Sequence, residues 1–288
     1  MDTTFHKVSI IGLGLIGGSW GLALKKYGLA ARRIGFGRAS TIARALAANA
    51  VDEGTDNLGK AVREADLIIL ASPVGAILEC IPRLKEVAAA NALVTDVGST
   101  KRLICERARE NLGGAPLFLG GHPLAGKERA GVENADATLF TNARYVLTPL
   151  EEGHLEDPRV KRFISLVTAV GARPHVMDPA RHDRALAFLS HLPQLLSTGL
   201  ASLIAEESLE DRLPAELAAS GFRDVTRLAE SPYSVWRDIC LTNLENIQEA
   251  LEALGKKLEF MKRHLSDPEL ERDFQQASKL REKLREAG

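Results

Sequence analysis

The sequence predicts an α/β protein in two parts: a largely parallel sheet flanked by helices, then an all-helical second domain. Three observations carry this. Short apolar β-type runs alternate with helical stretches through the first half and beyond. From Asp178 onward the β-type runs disappear, and long segments rich in Ala, Leu, Glu and Lys place apolar residues at helical spacing. Near the N-terminus a strand, a glycine-rich turn and a helix follow one another within residues 8–26.

Taken in order, the expected strands are Val8–Ile11, Arg33–Phe36, Leu67–Ala71, Leu93–Asp96, Leu117–Gly120 and Tyr145–Thr148, with Ala172–Met177 as a candidate last edge strand. Each is a short apolar run bounded by turn-forming residues. Helices are expected at Ser19–Lys26, Ser40–Ala50, Val74–Ala90, Thr100–Asn111 and Glu152–Val170. The second domain should contain helices at Leu195–Ile204, Pro214–Ala219, Tyr233–Met261 and Pro268–Glu286. The segment Tyr233–Met261 exceeds most globular helices and is expected to cross a large interface. The boundary falls near Met177–Pro179, giving domains 1–177 and 178–288.

Bulk properties narrow the class. The 288 residues leave room for two domains. An apolar share of 45% and a charged share of 26% are those of an ordinary globular protein. A formal net charge of −1 gives no global attraction to nucleic acid or to an anionic membrane. No apolar run approaches the roughly 20 residues that span a bilayer, and the N-terminus lacks a signal-peptide core. Cys80, Cys105 and Cys240 are scattered, so neither a disulfide framework nor a metal site is expected. The expectation is a cytoplasmic enzyme or binding protein with no nucleic-acid, membrane or metal partner.

The glycine turn is the most specific local signal. After Val8–Ile11 come Gly12, Leu13, Gly14, Leu15, Ile16 and Gly17, and then a helix. This is what a Rossmann-type dinucleotide site needs. The first glycine permits a tight turn, the second lets a pyrophosphate approach the backbone, and the third lets helix and strand pack closely. The helix N-terminus then offers unpaired N–H groups and a positive dipole end. NAD sites usually carry an acid at the end of the second strand, but Gly37 followed by Arg38 stands there. Losing the acid favours a 2′-phosphate, which Arg38 and Ser40 suit; alternatively Arg38 stacks on the adenine and serves NAD equally well. The cofactor is NAD or NADP.

Further candidates sit at the carboxyl ends of later strands, where ligands bind in open α/β sheets. Ser72, Pro73 and Val74 form one such turn, which also reads as a helix start with Ser72 as N-cap and Pro73 at N1. Ser99 and Thr100 follow the strand Leu93–Asp96; capping explains a hydroxyl there, but the position also aims it at the reactive end of the cofactor. His122 is held between Gly120-Gly121 and Pro123, a setting that core packing explains poorly. An imidazole with a pKa near neutral is the usual acceptor for a proton while a hydride leaves. His6, His154 and His264 look like surface residues, and chemistry alone leaves His175, His182 and His191 undecided. In the helical domain a glycine-bearing turn, Ala219–Arg227, is flanked by Arg223 and Arg227. Arginine is the preferred partner of a substrate carboxylate, yet pairing with Asp224 or Glu230 explains these residues equally well.

Together these motifs resemble the prephenate and arogenate dehydrogenase family of tyrosine biosynthesis. The resemblance covers nearly the whole chain: IGLGLIGGS, the SPV turn, VTDVGSTK, GGHPLAGKERAGVENA, LF-x-NARYVLTP, the D-x-x-x-H-D of Asp178 to Asp183, SHLP, and SGFRDVTRLAESPYSVWRDI. It implies an oxidative decarboxylation in which hydride leaves C4 of a cyclohexadienol, the ring carboxylate departs as CO2, and the ring becomes aromatic. It implies that His122 takes the proton of the 4-hydroxyl and that Ser99 assists at the same hydroxyl. It further implies that Arg227 pairs with a substrate carboxylate, that Glu128 and Asp224 gate it, that Trp236 lines the pocket, and that the helical domain forms a homodimer. Some prephenate-using members carry a histidine where this chain has Gln194, which makes arogenate, or either substrate, more plausible. The rivals are a two-domain dehydrogenase of the 3-hydroxyacid type and a non-catalytic dinucleotide sensor. No glycine-framed lysine between residues 178 and 240 supports the first, and a constrained His122 has no use in the second.

Overall fold

A computed structural model of the chain describes residues 3–127, 129–209 and 216–286. Eight strands form one sheet: β1 (Phe5–Ile11), β2 (Ala30–Phe36), β3 (Glu53–Thr55), β4 (Leu67–Leu70), β5 (Leu93–Asp96), β6 (Leu117–Pro123), β7 (Arg144–Pro149) and β8 (Arg173–Val176). Their order is β3-β2-β1-β4-β5-β6-β7-β8, and every pairing is parallel except β6 with β7. The helices on this sheet are α1 (Leu15–Lys26), α2 (Ala39–Ala47), α3 (Leu58–Val62), α4 (Val74–Val87), α5 (Arg102–Leu112) and α6 (Pro158–Ala169).

The central strands are apolar on both faces because both are covered. Along β4, Leu67 and Ile69 join one buried cluster, while Ile68 and Leu70 join the other. The same alternation splits Leu117 and Leu119 from Phe118 on β6. Trp20, fully buried on α1, packs tilted against Phe140 at 4.8 Å and edge-on to Tyr145 at 5.8 Å. The strand order reverses at β1, so a crevice opens between the carboxyl ends of β1 and β4.

From Pro179 on, all the described elements are helical. They are α7 (Pro179–Leu186), a wide turn at Ala187–His191, α8 (Leu192–Glu207), α9 (Ser220–Thr226), a 3-10 turn at Arg227–Glu230, α10 (Tyr233–Thr242), α11 (Leu244–Arg263) and α12 (Pro268–Glu286). Of the expected helix at Pro214–Ala219, the first two residues lie outside the described ones. The buried core of this part is small: Ala187, Ile239, Ile247 and Ala250, with Leu192, Leu195 and Trp236 against them. Leu241, Leu251, Leu258, Phe274 and Leu280 stay exposed.

Several expectations are corrected. The single helix Tyr233–Met261 is two helices, broken at Asn243 (φ −131°, ψ 29°), whose side chain is drawn into the protein. The helix Glu152–Val170 is a 3-10 turn, Glu152–Glu156, followed by α6, because Asp157 caps and Pro158 starts the second piece. Ser72 does not cap α4; its hydroxyl donates to the Ile11 carbonyl at 3.1 Å. Neither Ser99 nor Thr100 caps α5, whose first amides are taken by a carboxylate from the helical domain. The helical run Pro179–Glu207 is long and apolar enough, by length and composition alone, to cross a membrane. In the fold it carries buried His182, Asp183 and Gln194, each hydrogen-bonded to protein groups.

Candidate active site

Two clefts meet at the head of α1. The first, of about 370 Å³, is lined by Gly12, Leu13, Gly14, Gly37, Arg38, Thr41, Arg44, Ser72 and Pro73, among others. Gly12 has φ +102°, and a Cβ there would come within 2.6 Å of the Ala71 carbonyl oxygen. A Cβ on Gly17 would lie 2.0 Å from the Gly12 carbonyl oxygen, so helix and turn touch backbone to backbone. Gly14 differs: nothing among the described residues lies within 4 Å of where its Cβ would be, and it begins α1 with no side-chain cap. The turn is therefore closed where packing requires it and open where a phosphate would sit. Among the described residues no carboxylate lines this cleft, and Arg44 of its lining pairs with Glu133 at 2.6 Å. Val74 is buried in the core and lines neither cleft.

The second cleft, of about 340 Å³, lies between the sheet and the helical domain. Leu15, Ile16, Ser99, His122, Ser190, His191, Trp236 and Ile239 line it. The glycine turn thus contributes to both clefts, which sets whatever occupies the first beside His122.

A chain of hydrogen bonds fixes the His122 imidazole. The Asp183 carboxylate can only accept, so His182 donates Nδ1–H to its Oδ1 at 2.7 Å. His182 Nε2 is then the acceptor, and His122 donates Nδ1–H to it at 2.9 Å. The His122 Nε2 is left with its lone pair, on a residue that lines the cleft. Burial, with smaller contributions from His182, Lys101 and His191, holds the His122 pKa well below the ordinary imidazole value. The ring is therefore neutral at pH 7 and able to take a proton.

The strand that carries His122 is pinned from below. Asp96 and Lys101, both wholly buried, form an ion pair. Asp96 accepts the Gly121 N–H at 3.0 Å and the Gly98 N–H at 2.8 Å, while Lys101 Nζ donates to the Gly121 carbonyl at 2.8 Å. A Cβ on Gly121 would meet the Asp96 carbonyl oxygen at 2.6 Å, so only glycine fits beside this pair.

Carboxylates from the helical domain close the cleft by capping helices of the sheet domain. Asp183 accepts the N–H groups of Lys101 (2.7 Å) and Arg102 (2.9 Å) at the start of α5. Asp238 accepts the Gly75 N–H at 2.9 Å at the start of α4. Each places a negative charge at the positive end of a helix dipole. Thr100 and Thr242 add a hydroxyl–hydroxyl bond at 2.8 Å.

The remaining sequence candidates divide. Trp236 lines the His122 cleft. Arg227 and Asp224 are exposed, on the 3-10 turn and α9, and do not line it. Gln194 is buried with its amide donating to the Leu228 carbonyl at 2.7 Å and to Thr198 at 3.2 Å, so it anchors the turn bearing Arg227 instead of facing the cleft. Glu128 lies outside the described residues. His175 is exposed on β8. Cys80 and Cys105 are buried, their thiols pushed up to about 11 and about 12 by burial, so they are unreactive. Sequence reasoning left His182 and His191 undecided and passed over Asp183, Asp238 and Asn243. Adjacent His182-Asp183 in the first turns of a helix was the available signal.

Residues 20–176 match the family model of the prephenate dehydrogenase nucleotide-binding domain, and residues 178–286 that of the prephenate dehydrogenase dimerization domain. The chain belongs to the prephenate dehydrogenase family. It is 35% identical over 286 residues to the prephenate dehydrogenase of Lactococcus lactis subsp. cremoris, covering 96% of this chain and 77% of that one. The structure of the Aquifex aeolicus prephenate dehydrogenase with hydroxyphenyl propionate and NAD+ aligns at TM-score 0.84 and 28% identity over 98% of both chains. The Synechocystis arogenate dehydrogenase aligns at TM-score 0.79 and 33% identity, over 96% of this chain and 99% of that one. Membership of the prephenate dehydrogenase family makes the chain a dehydrogenase and selects that reading over the 3-hydroxyacid and sensor alternatives.

Proposed function

We propose that this chain catalyses the oxidative decarboxylation of prephenate, arogenate or both, within tyrosine biosynthesis, with NAD+ or NADP+ as oxidant. The observation that carries the mechanism is the Asp183–His182–His122 chain, which leaves a neutral imidazole with a lone pair at the cleft. The first cleft fits a dinucleotide: an uncapped helix N-terminus, open space at Gly14, and the guanidinium groups of Arg38 and the Glu133-paired Arg44 in a lining with no carboxylate among the described residues. Gly37 in place of an acid, with Arg38 beside it, favours the 2′-phosphate of NADP+. When bound, the nicotinamide supplies a two-electron acceptor for the hydrogen at substrate C4.

The protein's part is orientation and one proton. His122 Nε2 accepts the proton of the 4-hydroxyl as the C4 hydrogen leaves with its electron pair. Ser99 hydrogen-bonds the same hydroxyl. Loss of the ring carboxylate as CO2 then returns electrons to the ring, which becomes aromatic, and aromatisation supplies the driving force. Trp236 forms an apolar wall against the ring. Arg227 takes a substrate carboxylate after movement of its turn or in an assembled oligomer, with Glu128 and Asp224 as its ionic neighbours, while Gln194 holds the turn through Leu228. We assign residues 1–177 to the dinucleotide domain and 178–288 to the substrate and dimerisation domain. The exposed leucines of α10 to α12 support a homodimer. A cytoplasmic location is part of the same proposal.

The test is a kinetic comparison of both substrates with both cofactors, read as NAD(P)H formation. Turnover of at least one substrate is expected, with NADP+ used at least as efficiently as NAD+. A hundredfold preference for NAD+ would overturn the phosphate reading, and no turnover of either substrate would overturn the function.

A further inference from the structure

His191 plays no part in the mechanism above, yet it is the second imidazole in the same cleft. It is 1% exposed, lines the cleft and stands edge-on to Trp236 with centroids 5.8 Å apart. Its two nitrogens have opposite circumstances. Nδ1 lies 3.1 Å from the Asn243 side-chain nitrogen, whereas Nε2 is buried with no hydrogen-bond partner among the described residues.

The tautomer follows from Asn243. Its amide nitrogen lies 2.8 Å from the Asp183 carbonyl, which can only accept, and its Oδ1 accepts from Asn246 at 2.7 Å. The group facing His191 is therefore an N–H donor, and His191 Nδ1 must be the lone pair. The proton of the neutral ring then sits on Nε2. A buried donor without a partner is costly, and such groups mark places where something else completes the bond. Burial holds the His191 pKa down to about 4, with Asp183 opposing and His182 adding to the fall, so the ring stays neutral through the physiological range.

We propose that His191 is a substrate-binding residue that donates Nε2–H to an oxygen of the substrate, and that Asn243 is the positioning residue that fixes this donor. The proposal rests on the cleft being the substrate site. It gives the cleft two unlike imidazoles: His122 presents an acceptor, His191 a donor. Both are set by residue 183, through its side chain for His122 and its carbonyl for His191. A single uncharged donor suits a carbonyl, hydroxyl or carboxylate oxygen and disfavours an ammonium group, so it bears on the choice between keto and amino side chains. The break at Asn243 between α10 and α11 thereby acquires a purpose.

The test uses the full-length protein with steady-state kinetics and equilibrium binding of hydroxyphenyl propionate as a non-reacting probe. His191→Phe keeps a planar ring and removes the donor; KM and the probe Kd should rise about 5- to 30-fold with a smaller change in kcat. His191→Gln restores an N–H near Nε2 and should lie within about threefold of wild type. Asn243→Asp reverses the partner: the carboxylate accepts from Nδ1–H, and Nε2 becomes the lone pair. KM should then be high at pH 8 and fall as His191 takes a second proton. The ionisable groups facing that ring are His122, His182 and Asp183. Unchanged KM and probe Kd in a folded His191→Phe variant overturn the proposal, as do equal losses in the Phe and Gln variants. A pH-independent KM in Asn243→Asp overturns the role of Asn243. Probe binding reports on His191 even if neither prephenate nor arogenate turns over, so its failure is separable from failure of the proposed function.

Discussion

Replacing His182 by phenylalanine tests whether the His122 tautomer is imposed by its neighbour. The substitution keeps a buried planar ring but removes the acceptor of the His122 Nδ1–H, which lies 2.9 Å away. It also strips the Asp183 carboxylate of one of its three donors, leaving the backbone N–H groups of Lys101 and Arg102. An unpaired buried donor costs about 1–3 kcal/mol. If that penalty falls on the reactive arrangement, kcat drops about 5- to 150-fold, since 1.36 kcal/mol is a factor of ten. KM should change little, because His182 does not line the cleft. The pH profile gives a second readout. His182 is one of the groups that lowers the His122 pKa, so its removal lets that pKa rise. Activity needs neutral His122 and is lost as pH falls through its pKa, so the acid limb of kcat/KM should move to higher pH. Initial rates of NAD(P)H formation between pH 5 and 9, with thermal melts to verify folding, make the measurement. A kcat within twofold of wild type and an unmoved acid limb would refute the reasoning.

Other outcomes follow from the same geometry. Lys101→Met leaves Asp96 charged, buried and without its counter-ion; stability should fall by about 3–5 kcal/mol in chemical denaturation. Gly17→Ala forces a Cβ against the Gly12 carbonyl, so both melting temperature and dinucleotide affinity should fall. Gly14→Ala meets nothing among the described residues, so it should melt normally yet bind dinucleotide at least tenfold more weakly by titration. Asp238→Ala removes the carboxylate at the start of α4 and should cost about 1–2 kcal/mol in unfolding experiments.

The sheet was legible because its strands carry short apolar runs, such as Leu67–Leu70 in β4 and Leu117–Leu119 in β6, a pattern that sheets covered on both faces require. β3 went unseen because three residues, Glu53–Thr55, carry no period. The glycine turn and His122 were readable because backbone constraint is written locally, in Gly12, Gly17 and the residues around 122. The caps were not. Ser72, Ser99 and Thr100 are the residue types that cap helices, yet Asp238 and Asp183 take the amides from positions more than 80 residues away in sequence. Long-range partners leave no mark on local spacing. The same holds for the break at Asn243: helical periodicity runs straight through it, and only its bonds to Asp183 and His191 explain why the chain turns there. Gln194 shows the converse, since its place next to SHLP suggested the cleft while its amide is committed to Leu228 and Thr198.

The central claim is that neutral His122 takes the substrate proton in an oxidative decarboxylation. Initial rates of NAD(P)H formation with prephenate and with arogenate, for wild type and His122→Asn, test it most directly. The rate should fall about 10²–10⁴-fold in the variant, the usual range for loss of a general base. Near-normal turnover by His122→Asn would contradict the claim.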